Sequence, residues 1–350
     1  DPARRMGPRV WTSGAPGYHF EQLTVAAQGS GRRYRLWLSW PRHAAASDGH
    51  PLLCLLDGNA VADTLSAVQF ETLAAQGRDA PALLAIGPDS DLRFDVPMRA
   101  YDYTPAVRAD GPTWDDEASG RKGGGADAFL DFIATQALPA LVARAPLDAR
   151  RRTLWGHSYG GLFALHALLR RPALFSRYAA ADPSLWWHEG FILREAERPA
   201  PLPAGRETTL LLMQGASADA ARDDTPPPAG IDPARLARVR RERAAVPPGA
   251  GRALVSRMDG HDGLRAEFLA FPGMPPRPDA GRLAPRHAGI GSAPGGAPPM
   301  RHQSPPAAAA RSASKRACAM HRSAQDSAFS SGRRSRYDGC QVTTAGILRP

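Results

Sequence analysis

Short, uninterrupted apolar runs separated by helical patterns constrain the fold of this chain more than any other feature. The clearest runs are residues 52–56 and 82–86, and each ends at polar or glycine-containing turn residues. Continuous apolar strands are typical of parallel sheets, in which both faces of each strand are buried. Because such strands alternate with helical patterns along much of the chain, the sequence predicts an α/β fold with a mostly parallel sheet and helices on both faces.

The predicted elements follow this alternation. The predicted strands are residues 18–25, 34–40, 52–56, 82–86, 153–155, 178–181, 209–213 and 253–256. The predicted helices are 60–76, 126–144 with a bend or restart at Pro139, 160–170 and 232–245. The first two strands alternate polar and apolar residues and are joined by a glycine-containing turn, so we expect them to open the domain as an antiparallel pair.

A serine flanked by glycines stands between a predicted strand and a predicted apolar helix. Residues 156–161 read Gly-His-Ser-Tyr-Gly-Gly, which fits the G-x-S-x-G pattern of a nucleophile elbow. The serine of such an elbow projects from a very tight turn, and the glycines remove side chains that would clash there. The N-terminus of the following helix directs its partial positive charge at the developing oxyanion. The motif therefore predicts that Ser158 is the nucleophile of an α/β-hydrolase.

A serine hydroxyl is a weak nucleophile until a general base takes its proton. In α/β-hydrolases this base is a histidine that comes last in the chain order of the catalytic residues. His261 stands just beyond residues 253–256, which we interpret as the last strand, and it is therefore the predicted base. The competing histidines are His157 in the elbow, His166 in the next helix, His188 in a candidate substrate loop, and His287, His302 and His321 near the C-terminus.

Two backbone N–H groups and an acid complete a site of this kind. Tyr159, the residue after the nucleophile, is expected to supply one N–H of the oxyanion hole. Asn59, in the turn after residues 52–56, is the candidate for the other. Asp219 is a candidate for the acid that orients the histidine, with a solvated loop aspartate as the alternative interpretation. A Ser–His dyad without an acid is a further alternative.

Composition divides the chain into three parts. Residues 272–350 hold 12 of the 44 Lys and Arg residues but only three of the 34 Asp and Glu residues, so they carry most of the net charge of +10. They are also rich in Pro, Gly, Ala and Ser without periodicity, which is typical of disorder. We predict a flexible N-terminus (1–17), a catalytic α/β-hydrolase domain (18–271) and a disordered basic tail (272–350). A frameshifted gene end and a functional tail are both open interpretations of the last part.

Four motifs occur in order along the predicted domain. They are Leu55-Leu-Asp-Gly-Asn-Ala60, Tyr101-Asp-Tyr-Thr-Pro105, the elbow with its flanks (154–163) and Asp182-Pro-Ser-Leu-Trp186. Together they resemble the catecholate-siderophore esterases, the IroE-like trilactone hydrolases of bacterial iron uptake. The resemblance covers roughly residues 18–271. It implies a serine esterase that hydrolyses enterobactin-like trilactones, with Ser158 and His261 as its catalytic pair, no cofactor and no metal bound by the protein itself.

The same resemblance implies residues that bind the substrate. Arg99 would pair with an anionic ferric catecholate, and Trp186 or Trp187 would stack on a catechol ring. A solvated arginine and core tryptophans are the alternative interpretations. Residues 87–125, which are rich in Asp, Pro and Gly, predict a loop that covers the site. One departure from the family is the sequence after His261, where Asp-Gly-Leu replaces the usual Gly-x-Met.

Other functions and locations are also compatible with the sequence. A general carboxylesterase of the esterase D or feruloyl esterase type shares the elbow and is the alternative function. The basic tail carries enough charge to bind nucleic acid but has only Phe329 and Tyr337 as aromatic residues for base stacking. We therefore expect a small-molecule ester as the partner and no nucleic acid.

No apolar stretch is long enough to span a membrane. The lack of a visible leader favours the cytoplasm over the periplasm, and the sequence leaves the oligomeric state unknown.

Overall fold

A computed structural model of the chain describes residues 4–7, 9–215 and 233–271. The strands are β1 (Tyr18–Ala26), β2 (Arg33–Pro41), β3 (His50–Leu55), β4 (Ala82–Pro88), β5 (Trp114–Asp116), β6 (Arg121–Lys122), β7 (Leu147–His157), β8 (Arg177–Ala181), β9 (Thr208–Gly215) and β10 (Leu264–Phe271). The helices are α1 (Val10–Ser13), α2 (Gly58–Thr64), α3 (Ala67–Ala74), α4 (Val96–Asp102), α5 (Ala126–Phe132), α6 (Leu138–Val142), α7 (Tyr159–Arg170), α8 (Phe191–Glu195), α9 (Pro233–Ala244) and α10 (Ala250–Met258). The predicted tail and Asp219 lie outside the described residues.

Eight of these strands form one central sheet in the order β1-β2-β4-β3-β7-β8-β9-β10. The pairs β1–β2 and β2–β4 are antiparallel, and every other neighbouring pair is parallel. The predicted fold class, with an opening antiparallel pair and a mostly parallel sheet, is confirmed. Since the carboxyl ends of the parallel strands lie along one edge, the residues that follow β3, β7, β8 and β9 can meet there.

The apolar runs bury both faces of the sheet. Leu52, Cys54 and Leu56 belong to one apolar cluster, which also contains side chains of α5, α6 and α7. Leu53 and Leu55 belong to a second cluster with side chains of α1, α2 and α3. Successive side chains of a strand point to opposite faces, so an uninterrupted apolar run supplies both clusters at once.

The residues before β1 pack against the domain. Val10 is buried, and the indole N–H of Trp11 donates a hydrogen bond of 2.9 Å to the carbonyl of Leu38. The Trp11 ring also makes an edge-on contact with Phe20, with 5.5 Å between centroids. The predicted flexible N-terminus is therefore wrong for the described part of 1–17, because Val10 and Trp11 bury apolar surface on the sheet.

The segment interpreted as the last strand is helical. Residues 253–256 lie within α10, whose Leu254, Val255 and Met258 are buried on one face. The last described strand is instead β10, which pairs in parallel with β9. Val255 and Ala253 suit either structure over so short a run, and the spacing from Leu254 to Met258 is the helical signal that decides between them. As a result, His261 precedes the last described strand.

Two predicted segments differ in detail from the structure. Residues 87–125 form α4 and the β5–β6 hairpin rather than an irregular loop. The predicted helix 60–76 is split, because the reciprocal hydrogen bonds of Ser66 and Gln69 start a new helix at α3. The bend or restart predicted for 126–144 coincides with a π-helical turn before Pro139, which has no N–H to donate. No helix in the described ranges combines the length and the apolar character that crossing a membrane requires.

Candidate active site

Ser158 is the single residue between β7 and α7. Its backbone has φ of 58° and ψ of −112°, a conformation that L-residues rarely adopt and that is typical of strained functional turns. The turn is so tight that a Cβ on Gly156 would lie 2.3 Å from the carbonyl oxygen of Gly160. The Ser158 N–H donates a hydrogen bond of 2.9 Å to the carbonyl of Ala181 at the end of β8. These are the geometric features of a nucleophile elbow at the carboxyl edge of the sheet.

Ser184 is a side-chain hydrogen-bond partner of the Ser158 hydroxyl. The two Oγ atoms lie 3.2 Å apart, and the Ser184 N–H donates a hydrogen bond of 3.1 Å to the Ser158 carbonyl. Ser184 is buried, so its hydroxyl has few competing partners in water. The sequence analysis did not single out this residue, although it stands inside the Asp182–Trp186 motif. Only the fold shows that the motif returns to the elbow.

Tyr159 begins α7 directly after Ser158. The N–H groups in the first turn of a helix have no acceptor within that helix, so the Tyr159 N–H is available for the predicted oxyanion hole. The ring of Tyr159 lies 5.5 Å from the guanidinium of Arg99 and 6.2 Å from the ring of Trp186. Two of the predicted substrate-binding residues therefore flank the residue that follows the nucleophile.

The first two motifs meet in a buried ion pair beside the elbow. The Arg99 guanidinium donates two hydrogen bonds of 3.0 Å to the Asp57 carboxylate, and its Nη2 lies 3.4 Å from the carbonyl of His157. The Asp57 N–H donates to the hydroxyl of Tyr103 at 2.9 Å. Burial alone would lower the pKa of Arg99, but the Asp57 carboxylate outweighs it and raises that pKa above its ordinary value. Arg99 therefore stays charged, with Asp57 balancing most of that charge.

The carboxamide of Asn59 has a structural role. Asn59 is fully buried, and its carboxamide accepts a hydrogen bond from the Trp37 indole and donates to the carbonyls of Ser90 and Leu92. The side chain therefore ties β2 to the segment after β4. The backbone N of Asn59 is packed so closely on Gly87 that a Cβ there would lie 2.7 Å away. That its N–H donates to an oxyanion stays a prediction.

The strand register places His261 at the opposite edge of the sheet. His157, which precedes the nucleophile, pairs with Ala181, Ala181 with Met213, and Met213 with Leu269. His261 comes before Leu264, the first residue of β10.

The distance along β10 rules out a direct contact with the nucleophile. The five steps from Leu264 to Leu269 alone span about 17 Å at the usual rise of a strand. His261 lies in the turn that follows α10, where its Nδ1 is 3.2 Å from the carbonyl oxygen of Arg257. The prediction that His261 is the base is therefore wrong, because its strand was misassigned.

Two histidines among the described residues lie at the carboxyl edge. His157 is the last residue of β7, and burial lowers its pKa, an effect that Asp182 opposes and Arg99 reinforces. His188 follows β8, and its Nε2 lies 2.9 Å from the carbonyl oxygen of Trp114. His166, by contrast, contacts Asp127 on the outer side of α7 at 2.9 Å.

The two candidate tryptophans have different environments. Trp187 is 1% exposed, and its indole N–H donates to the carboxylate of Asp115 at 3.1 Å. It is a core residue, so its predicted stacking on a catechol is wrong. Trp186 is partly exposed, and the guanidinium of Arg243 lies 5.2 Å from its ring centroid. Only Trp186 offers a ring face that a ligand can reach.

Residues 27–244 match the model of the esterase family described as "Putative esterase". The matched range contains β2 to α9 and includes Ser158, Ser184 and the Asp57–Arg99 pair. The chain belongs to this esterase family.

Within this family, the chain is similar to proteins that are named as siderophore esterases, the class that the sequence motifs resemble. The apo-salmochelin esterase of Escherichia coli is 37% identical over 182 residues, which are 52% of this chain and 56% of that protein. The ferri-bacillibactin esterase BesA of Bacillus subtilis is 32% identical over 185 residues, 51% of this chain and 62% of that protein. The chain thus spans little more than half the length of these curated relatives.

A solved structure extends the likeness over most of the described fold. The siderophore hydrolase EstB from Aspergillus nidulans superposes with a TM-score of 0.56 at 28% identity. The match covers 75% of this chain and 89% of EstB. The predicted resemblance to siderophore esterases is confirmed, and it favours this class over a general carboxylesterase.

Proposed function

We propose that this protein is a serine esterase that hydrolyses the ester bonds of siderophores built on a trilactone. The strained elbow that presents Ser158 carries this proposal, because such a backbone persists only where the surrounding fold holds it. The relatives' names supply the substrate class. The salmochelin and bacillibactin esterases are named for an iron-free and an iron-loaded siderophore respectively, so either form is a candidate substrate.

The reaction would proceed through an acyl-enzyme. Ser158 Oγ forms a bond to the ester carbonyl carbon while a general base takes the hydroxyl proton. The oxyanion that forms is stabilised by the Tyr159 N–H and by the positive end of α7. The bond to the leaving alcohol breaks as the base returns the proton to that oxygen. Water activated by the same base then releases the acid and restores the serine.

We place the general base after β10, because in this fold it follows the last strand. The histidines in that part of the sequence are His287, His302 and His321, all outside the described residues. His188 is the described alternative, since it lies at the carboxyl edge.

Arg99 and Trp186 would serve the substrate in different ways. Because Asp57 balances most of its charge, Arg99 would contribute short-range contacts to the substrate rather than capture of a distant anion. Trp186 would stack on a catechol ring, with Arg243 held above the same indole. A catecholate that enters there would meet an aromatic face and a cation together.

The experiment that tests the function follows a catecholate trilactone and a p-nitrophenyl ester by chromatography and absorbance. The wild type is compared with Ser158→Ala and with Ser39→Ala, a control that removes a buried serine hydroxyl on β2. We expect trilactone cleavage that Ser158→Ala abolishes and Ser39→Ala keeps. Cleavage of the p-nitrophenyl ester alone would replace the substrate class by a general esterase. No serine-dependent cleavage of either would overturn the proposal.

A further inference from the structure

Asp115, on the β5–β6 hairpin, has a fully buried carboxylate that the proposed mechanism does not use. One oxygen accepts hydrogen bonds from the Tyr159 hydroxyl at 2.7 Å and the Trp187 indole at 3.1 Å. The other oxygen forms an ion pair with Arg121. A buried carboxylate is costly unless it is paired and hydrogen-bonded, and here the three donors come from three separate segments.

The hairpin that carries Asp115 is itself held from two sides. Arg238 of α9 donates to the carbonyl of Asp115 at 2.9 Å and forms an ion pair with Asp116 at 3.3 Å. His188 contacts the carbonyl of Trp114 at 2.9 Å. The backbone of β5 is therefore tied to α9 and to the segment after β8.

Both residues that donate to Asp115 Oδ1 are connected to Ser158, one along the chain and one through Ser184. Tyr159 carries the N–H proposed for the oxyanion hole, one residue after Ser158. The backbone N–H of Trp187 donates to the carbonyl of Ser184 at 3.1 Å. The hydroxyl of Ser184 in turn lies 3.2 Å from the hydroxyl of Ser158. Asp115 thus anchors the two groups that flank the Ser158 hydroxyl.

We infer that Asp115 is a positioning residue of this active site, acting through Tyr159 and Trp187. The inference rests on the proposed function. Burial, with the adjoining carboxylate, raises the pKa of Tyr159, so its hydroxyl remains a hydrogen-bond donor over the working pH range. Small displacements of catalytic groups reduce rates strongly. Loosening this anchor should lower kcat without weakening ground-state binding of the ester.

Tyr159→Phe is the sharpest test, because it removes one hydroxyl and leaves the backbone N–H in place. Tyr18→Phe is the matched control, since the Tyr18 hydroxyl also donates one short hydrogen bond, to the carbonyl of Pro81 at 2.8 Å, and stands on β1. We expect both variants to lower Tm alike. Only Tyr159→Phe should reduce kcat, by about tenfold, with KM unchanged. Equal kcat in the two variants would overturn the inference.

A double-mutant cycle and a chemical probe complete the test. Asp115→Asn should lower kcat at least as much as Tyr159→Phe, and adding Tyr159→Phe to it should cause little further loss, because the two residues act through one contact. Full additivity would overturn the inference.

A chemical probe gives a second measure of the same anchor. The rate at which a fluorophosphonate labels Ser158 should fall in the variants in the same order as kcat. A wild type that is labelled but leaves the trilactone intact would overturn the substrate proposal alone, and the labelling rates would then decide the role of Asp115.

Discussion

The two edges of the central sheet hold polar groups of very different kinds. At the carboxyl edge, Asp57 and Arg99 form an ion pair whose side chains are only 10% and 18% exposed. At the amino edge, Glu207 and Arg265 form an ion pair whose side chains are 61% and 73% exposed. The carboxyl edge also holds the strained serine and the buried Ser184. The buried polar groups at the carboxyl edge position one another, whereas the ion pair of Glu207 and Arg265 at the amino edge is solvated.

The comparison also decides which histidines can serve the nucleophile. In a parallel sheet, a residue before one strand and a residue after another are separated by at least the length of the strand. His261 precedes β10 and Ser158 follows β7, with β8 and β9 between them, so no local rearrangement brings them together. The edge at which a residue stands is therefore a stricter test of a catalytic role than its residue type.

The largest expected difference is between Ser158→Ala and His261→Ala. Loss of a serine nucleophile typically reduces kcat by about 10⁶-fold, whereas His261→Ala should retain the wild-type rate within about twofold because it lies at the other edge. Trilactone hydrolysis measures both. A large loss of kcat in His261→Ala, with a normal Tm, would contradict the view that only residues at the carboxyl edge serve Ser158.

The same assay extended to other histidines locates the base. Single glutamine variants of His188, His287, His302 and His321 are compared with His261→Ala. We expect the loss in a variant of a residue after Phe271. A loss confined to His188→Gln would move the base to the segment after β8.

The next largest effect concerns the stability of the two ion pairs. Asp57→Asn leaves Arg99 buried without its charge partner, and such losses typically cost about 3–5 kcal/mol. Glu207→Gln breaks an exposed pair and should cost about 0–1 kcal/mol. Urea denaturation of both variants gives the two free energies of unfolding. Similar losses of stability in the two variants would show that burial does not distinguish the ion pairs at the two edges.

Two buried serines on either side of β8 give a smaller, purely kinetic contrast. Ser184 follows the strand and contacts Ser158, whereas Ser176 precedes it and donates to the carbonyl of Arg152 at 3.2 Å. Each alanine variant should lose about 1 kcal/mol of stability. Only Ser184→Ala should also lower kcat, by about tenfold. If Ser176→Ala lowers kcat equally, Ser184 has no special role at the nucleophile.

The smallest effect is a pH dependence at the amino edge. Burial lowers the pKa of His50, at the start of β3, so the folded protein binds this proton less tightly than the unfolded chain. Stability is therefore fully present above the ordinary histidine pKa of about 6.5 and falls as the pH drops below it. His50→Gln removes this contribution, so its Tm should fall less than that of the wild type between pH 7.5 and 5.5, by roughly 2 °C. An equal fall of Tm in the wild type and in His50→Gln would show that His50 is not the source of this pH dependence.

Much of the site could be predicted where a motif is local in sequence. The elbow needs only a strand, a tight turn and a helix, and residues 156–161 specify all three. Tyr159 follows from the same motif. The motif that contains Ser184 was also recognised, but its contact with Ser158 depends on how the chain returns after β8, which residue spacing does not encode.

The mistaken predictions have two physical origins. Trp187 adjoins Trp186 in sequence, yet it faces inward to Asp115. This error concerns the direction in which a side chain points once its neighbours are packed around it. His261 was placed after a strand that is a helix, since four apolar and small residues suit either structure. This error concerns the secondary structure that a short segment adopts.

The sequence by itself determined the fold class and the position of the elbow that presents Ser158. Uninterrupted apolar runs require strands that are covered on both faces, and the glycines at 156, 160 and 161 require a tight turn at Ser158. Only the tertiary structure decided which distant groups surround that serine. Asp57 and Ser184 lie 101 residues before and 26 residues after it, and strand order and register bring both to one edge of the sheet. Asp115 stands on the separate β5–β6 hairpin, and side-chain packing brings it to Tyr159 and Trp187.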